Sequence, residues 1–257
     1  MITPEIQNLI NAGAIFYVSH SGGKDSQAMY ALMRTRIPHD QIVVVHASLG
    51  EVEWPGVIEH INANITHKLN VVQAGKTLLS MARKRGMWPS ARHRQCTSDL
   101  KRGPIEKFIR HDMAYRGGGI AVNCMGLRAQ ESSARAKRQQ FRKKPDQTTA
   151  NREVWEWLPI FELTTDEVVC AITEAGQKPF WAYKAGNERL SCVFCIMGSL
   201  NDLRNGAMHN PELYRRYVAL ERQIGHTLFM KAGKPIWLDE HIGIPIINID
   251  CDKDAAA

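Results

Sequence analysis

Six consecutive residues, Ser21-Gly22-Gly23-Lys24-Asp25-Ser26, join two glycines, two hydroxyls, a cation and a carboxylate. Paired glycines let a backbone turn tightly and approach an anion closely. Amides at the start of a helix point at such an anion, and the helix dipole favours its negative charge. Lys24 adds a cation, and Ser21 and Ser26 add hydroxyl donors. The chemistry that suits this set is the holding of a phosphate chain. The spacing differs from G-x-x-x-x-G-K-[ST], so the segment is not a Walker A loop. A second reactive group is sulfur: Cys96 in Arg94-Gln95-Cys96-Thr97, and the pair Cys192-Val193-Phe194-Cys195. In a cytosolic chain such a pair points to metal or redox chemistry. Thiolates suit iron–sulfur clusters and zinc alike. Zinc would take a fourth ligand such as His93 or Cys124. Arg92, Arg94, Lys101 and Arg102 flank Cys96 and are expected to lower its pKa.

The glycine segment matches SGGxDS and resembles the PP-loop of the ATP pyrophosphatases, which cleave ATP between the α and β phosphates. Gly126-Leu127-Arg128-Ala129-Gln130-Glu131-Ser132 with Arg135 is similar to the G-x-R-x-x-E-S…R segment of the phosphoadenosine-phosphosulfate (PAPS) reductase-like branch. Trp157-Leu158-Pro159-Ile160 is similar to the W-x-P-I segment of that branch. The resemblance runs from Ala14 to Gly225. It implies a catalytic set of Lys24, Asp25 and Arg128. It also implies a nucleotide site of Ser19, Ser21, Gly22, Gly23, Lys24, Asp25, Ser26, His46, Gly126, Arg128, Ser132 and Arg135. ATP and Mg²⁺ would be bound there. His46 stands where the reductases usually carry the Asp of D-T-G. Glu51 and Glu53 offer oxygen ligands for Mg²⁺ or are charges at a helix start. In iron–sulfur members, a cysteine pair upstream and a C-x-x-C downstream ligate a [4Fe–4S] cluster. Here the upstream pair reads Gln95-Cys96, so the resemblance leaves Cys96, Cys192 and Cys195 as ligands, with one iron open to hydrosulfide. Zinc and a free reduced pair are the alternatives. The E-C-G-L-H motif of the true PAPS reductases has no counterpart, since Cys251 sits in Ile249-Asp250-Cys251-Asp252.

That absence, the three cysteines and a basic segment together resemble the ATP pyrophosphatases of DNA phosphorothioation. The implied partners are ATP, DNA, a sulfur donor and companion modification proteins. The alternatives are a PAPS or adenylylsulfate reductase, a tRNA-thiolating enzyme, and a non-catalytic nucleotide-sensing partner that binds DNA.

The elements that must position these residues read as an α/β fold. Ala14–Ser19 is an apolar, β-favouring run leading into the glycine turn, and Gln27–Thr35 has helical spacing. Gln41–His46, Asn70–Gln73 and Ile120–Met125 read as further strands, and Val57–Leu69 as a helix. Strands alternating with helices predict a parallel sheet of five or six strands, with helices on both faces. Ligands in such sheets bind beyond the carboxyl ends of the strands. Arg83–Asp99 reads as irregular, and the basic stretch Arg128–Arg152 as a mobile loop. Thr164 and Glu167 form a capping box ahead of an apolar helix that stops at Gly176. Pro211–Gly225 is a further helix, with Tyr214, Tyr217 and Leu220 on its core face. Cys124 and Cys170 are expected to be buried. The reading divides the chain into a nucleotide-binding α/β domain at 1–160 and a C-terminal helical extension at 161–257 carrying the Cys-x-x-Cys.

Composition closes off other classes. The chain has 257 residues, 44% hydrophobic and 23% charged, which is ordinary for a globular protein. No apolar run reaches the ~18–20 residues of a membrane span. Met1–Ala12 lacks the basic start of a secretory signal, so a cytoplasmic protein is expected. The tail from Asp252 ends in three alanines and is expected to fray. The net charge is +7, but Arg83–Lys144 alone holds 17 basic and 4 acidic residues. A field of that kind attracts phosphates, on a nucleic acid or on a small polyanion.

Overall fold

The computed structural model describes residues 2–246; Cys251 lies outside them. The chain forms two compact units. The first comprises Met1–Ala47, Gly56–Val72 and Gly103–Phe180. The second comprises Ser48–Pro55, Gln73–Arg102 and, of the described residues, 181–246.

In chain order the elements begin with α1 (Pro4–Asn11), β1 (Ile15–Ser19), α2 (Lys24–Met33), β2 (Ile42–Ser48), α3 (Val57–Asn64) and β3 (Leu69–Gln73). They continue with α4 (Leu78–Arg85), α5 (Gln95–Thr97), α6 (Gly103–Tyr115), β4 (Gly119–Met125) and α7 (Ser133–Ala136). Next come β5 (Phe141–Lys143), β6 (Arg152–Trp157), α8 (Thr165–Glu174), α9 (Trp181–Lys184), α10 (Leu200–His209) and α11 (Pro211–Ile224). The last are β7 (Phe229–Lys231), β8 (Lys234–Ile236) and α12 (Leu238–Ile242).

The first unit is built on a six-stranded sheet of order β3-β2-β1-β4-β6-β5. Side chains alternate across a strand, and β1 shows the consequence. Phe16 and Val18 enter one apolar cluster with Ala28, Met29, Val168 and Ile172 from α2 and α8. Tyr17 enters another, with Ile109 and Met113 from α6. Both faces of the sheet are therefore covered by helices, as the strand–helix alternation predicts. β1 pairs in parallel with β2 and with β4, and β4 pairs in parallel with β6. The strand order reverses at β1, which puts a switch point between β1 and β4. An open parallel sheet forms its ligand crevice at such a point.

One edge departs from the expectation. β5 runs antiparallel to β6, and a bridge between Thr149 and Arg152 closes the short connection between them. A connection this short joins antiparallel strands, because a parallel return needs a long crossover. The basic stretch expected to be a mobile loop thus holds α7 in its first half and a hairpin in its second. The Phe141 and Trp155 rings stack across it at 4.6 Å. Arg138 and Arg142 both pair with Glu156, at 2.8 and 2.9 Å. Arg83–Asp99 is also more regular than expected. Its first residues finish α4, which Thr77 and Ser80 cap reciprocally, and Gln95–Thr97 forms α5.

Helix starts follow the sequence closely. Thr164 and Glu167 cap α8 reciprocally, and Pro211 opens α11. Tyr214, Tyr217 and Leu220 are buried as expected. Cys124 is buried in β4, but Cys170 is exposed. Cys170 lies on the outer face of α8, while Val168, Ala171 and Ile172 face inward. The second unit carries α4, α5, α9 to α12 and the two-stranded β7–β8 hairpin.

Candidate active site

The glycine segment forms the turn between β1 and α2 in the first unit. Gly22 has φ +77, a left-handed conformation that only glycine adopts cheaply. Gly23 is the N-cap of α2 and offers no side chain to cap it. Helix geometry leaves the first amides of a helix without intrahelical acceptors. The loop therefore presents a helix start suited to an anion. Ser26 holds it together from within the first turn. Its Oγ donates to the Gly23 carbonyl at 2.9 Å and accepts from the Ser21 amide at 3.1 Å. The Ser21 and Ser26 hydroxyls also meet at 3.1 Å.

Two residues beyond β4 clamp this turn. Gly126 carries no side chain because the start of α2 lies against it. A Cβ there would stand 3.0 Å from the Asp25 carbonyl carbon and 3.1 Å from the Ser26 nitrogen. Arg128 is 4% exposed, and its Nε donates to Asp25 Oδ1 at 2.6 Å. Its Nη1 donates to Gln130 Oε1 at 2.9 Å and to the Leu163 carbonyl at 3.3 Å. Arg128 thus ties the β4 loop, the α2 start and the α8 approach into one piece.

The other expected nucleotide residues lie on β1, α2, β2 and the segment beyond β4, all in the first unit. Ser19 ends β1 and donates to Asn123 Oδ1 of β4 at 3.1 Å. Ser132 caps α7 by accepting from the Arg135 amide at 3.2 Å. Arg135 pairs with Glu131, whose carboxylate also accepts the Arg128 amide at 3.0 Å. Lys24 opens α2 and is half-buried. His46 is buried at the end of β2. The His20 carbonyl only accepts, so His46 Nδ1 donates to it, at 2.9 Å. His20, which no sequence motif marks, stands beside His46. It too is buried, and its Nδ1 accepts the Gly22 amide at 3.1 Å. The one sequence signal for it was its place between strand and loop.

The thiols belong to the second unit, all three of them. Cys195 accepts a hydrogen bond from Cys192, which brings its pKa down to about 5 against the pull of burial. Cys192 rises because it is the donor of that bond and is buried. Cys96 rises through burial, which outweighs Lys101 and Arg94. The flanking cations were expected to lower Cys96, and desolvation reverses that expectation. The Met197 amide also donates to Cys195 Sγ, at 3.4 Å. Among the described residues, no three His, Cys, Asp or Glu side chains gather as a metal-holding group. As placed, the three thiols therefore make a dithiol pair with a third thiol in its field, not a formed cluster cage. Glu51, a candidate Mg²⁺ ligand, is paired with Arg216 within this unit. Burial raises its pKa, and Arg216 overcomes that to leave it lowered.

Among the described residues, no helix is long and apolar enough to cross a membrane. In comparisons with known proteins, the chain is 27% identical over 150 residues to an uncharacterized 37.8 kDa protein of Escherichia phage 186, covering 58% of this chain and 44% of that protein. The chain therefore spans less than half the length of this curated relative. Among solved structures it is similar to a phosphoadenylyl-sulfate reductase from Candida auris, at 12% identity and a TM-score of 0.46, covering 75% of this chain and 96% of that one. It is similar also to an FMN adenylyltransferase from Candida glabrata, at 14% identity and a TM-score of 0.47, covering 75% of this chain and 58% of that one. The family model of the phosphoadenosine phosphosulfate reductase domain matches residues 15–197, a span that holds the glycine turn, the Arg128 clamp and all three thiols, and the chain belongs to that family.

Proposed function

We propose that the chain is an ATP pyrophosphatase that cleaves ATP to AMP and pyrophosphate and so activates a substrate for sulfur transfer. The observation that carries this reading is the braced turn at Ser21–Ser26, beside the switch point of the sheet. In the proposed reaction the turn cradles the β and γ phosphates through backbone amides and the Ser21 and Ser26 hydroxyls. Lys24 adds positive charge at the start of α2. A substrate oxygen attacks the α-phosphorus, the bond to the bridging oxygen breaks, and pyrophosphate leaves with the electron pair. The substrate then carries the adenylyl group until a sulfur nucleophile displaces AMP. In the absence of an acceptor, water is the attacking oxygen and AMP forms directly. Fixed dipoles and charges stabilise the developing negative charge without reorganising. Asp25 and Arg128 act by holding the turn in place through their ion pair. Mg²⁺ would neutralise phosphate charge there when bound.

The sulfur acceptor we favour is DNA, in phosphorothioate modification. Support comes from the basic residues of Arg83–Lys144 and from the resemblance noted above. Sulfur handling is assigned to Cys96, Cys192 and Cys195. A [4Fe–4S] cluster or zinc remains part of the proposal on donor chemistry alone, and no step is routed through either.

A second reading is sulfonucleotide reduction, which the matched family's own description favours. One pair of assays separates the two. Anaerobic protein with ATP and Mg²⁺ is expected to yield AMP by chromatography. The same protein with PAPS or adenylylsulfate and a dithiol reductant is expected to release no sulfite. Sulfite release without AMP formation from ATP would replace the first reading by the second.

A further inference from the structure

His20 sits between β1 and the glycine turn and is 2% exposed. Its backbone is fixed on both sides. The amide donates to the Val45 carbonyl at 2.8 Å, and the carbonyl receives His46 Nδ1 at 2.9 Å. Its ring is fixed as well. Nδ1 accepts the Gly22 amide at 3.1 Å, which assigns the ring proton to Nε2. That Nε2 is buried without a hydrogen-bond partner. The ring meets Tyr30 of α2 edge-on, with centroids 6.2 Å apart. Burial comes first, then His46 of β2 and His60 of α3, in pushing its pKa down to about 3. The ring is therefore neutral at any ordinary pH, and its Nδ1 lone pair is always available.

A buried polar hydrogen left without a partner is costly. His20 bears that cost at Nε2, and the contact it makes in return is at Nδ1. There it receives the amide of the one loop residue with a left-handed backbone, Gly22. We propose that His20 is the positioning residue of the phosphate turn. It draws the Gly22 amide inward, away from the phosphate, and locks the left-handed turn that aligns the next amides on a single anion. His46 braces it from β2 through the His20 carbonyl. This rests on reading the turn as a pyrophosphate cradle. The ligand class at issue is pyrophosphate, free or as part of a nucleotide.

The test compares His20→Ala, His20→Asn and His20→Gln with the wild type, using calorimetric titration with inorganic pyrophosphate and with ATP. Asn places a carbonyl oxygen near the Nδ1 position, whereas Gln reaches toward the Nε2 position. His20→Ala is expected to weaken both ligands by about tenfold or more, as loss of a buried acceptor would do. His20→Asn should stay within about threefold of the wild type, and His20→Gln should behave like Ala. Should Ala not fold, as judged by circular dichroism, the Asn and Gln variants decide alone. Equal affinities for Asn and Gln, or an undiminished Ala variant, would overturn the positioning role. A wild type that binds neither ligand would overturn the cradle reading and this inference with it.

Discussion

The phosphate turn and the thiol group solve opposite problems. The turn is over-determined. Ser26 fixes it from α2, Gly126 and Arg128 from the segment beyond β4, and His20 from the end of β1; all but Gly126 do so through hydrogen bonds at 2.6 to 3.1 Å. The thiols stand on little regular structure, although Val193 and Phe194 between two of them are buried. Cys96 lies on the three-residue α5, which runs straight into a π-helical turn at Ser98–Arg102. Cys192 and Cys195 lie outside any helix or strand. Their proton affinities are also split in opposite directions. A site that meets fixed phosphate charge gains from rigid dipoles that need no rearrangement. A site whose atoms must change protonation or bonding partner gains from unequal, adjustable groups.

The largest expected effect tests the rigid side. Arg128→Met removes a buried cation and strands Asp25 at the start of α2. Breaking a buried pair at one partner costs on the order of 3 kcal/mol, read by urea denaturation, and ATP cleavage should be lost with it. A loss of under about 1 kcal/mol, in the range of an exposed pair, would show that the turn is not held from β4. Next is Gly126→Ala. The new methyl must push against backbone, which costs about 1–3 kcal/mol. Pyrophosphate affinity should fall together with the melting temperature, and a neutral variant would contradict the close packing.

The third effect belongs to the thiols. The bond from Cys192 lowers the pKa of Cys195 and burial raises that of Cys96, so the thiolate is expected at Cys195 first. A low-pKa thiolate is a weaker nucleophile, which offsets part of the gain, so about tenfold faster alkylation of Cys195 is expected. Peptide mass spectrometry after brief iodoacetamide treatment reads it, and Cys124, buried in β4, should remain unlabelled. Equal labelling of Cys96 and Cys195 would erase the contrast between the thiols. The last effect is confined to acid. The folded-state pKa of His20 lies near 3, below the ordinary histidine value of about 6.5. The unfolded chain therefore takes up the proton first. This contribution to stability is complete above about pH 6.5 and is lost as the pH falls towards 3. His20→Asn should show a shallower fall in unfolding free energy between pH 7 and 5, and identical slopes would deny that the ring is buried and neutral.

The two regions also differed in how far the sequence revealed them. The turn was legible because its chemistry is contiguous and because strand, glycines and helix follow each other without a gap. The β4 clamp was legible through Gly126 and Arg128, but not the partner of Arg128: Asp25 lies 103 residues away and is brought close only by pairing of β1 with β4. His20 carried no pattern, since a lone histidine after a strand has no periodic or spacing signal. β6 was missed because both its faces are partly covered, so Arg152–Trp157 lacks a clean alternation. With it went the β5 hairpin, whose charges suggest a solvated loop until Glu156 is seen to gather two arginines. Cys170 is exposed against expectation because its apolar neighbour Val169 also points outward from α8. The pKa of Cys96 was misjudged because flanking charge is visible in a sequence and burial is not.

In the proposed reaction the braced turn directs cleavage between the α and β phosphates of ATP. Phosphorus-31 NMR of an anaerobic reaction with ATP and Mg²⁺ reads this bond directly. Wild-type protein is expected to produce AMP and pyrophosphate signals in equal amounts, and Ser26→Ala is expected to reduce both together. Appearance of ADP and inorganic phosphate instead would contradict the account, because the γ-phosphate would then be the transferred group and the turn would not be a pyrophosphate cradle.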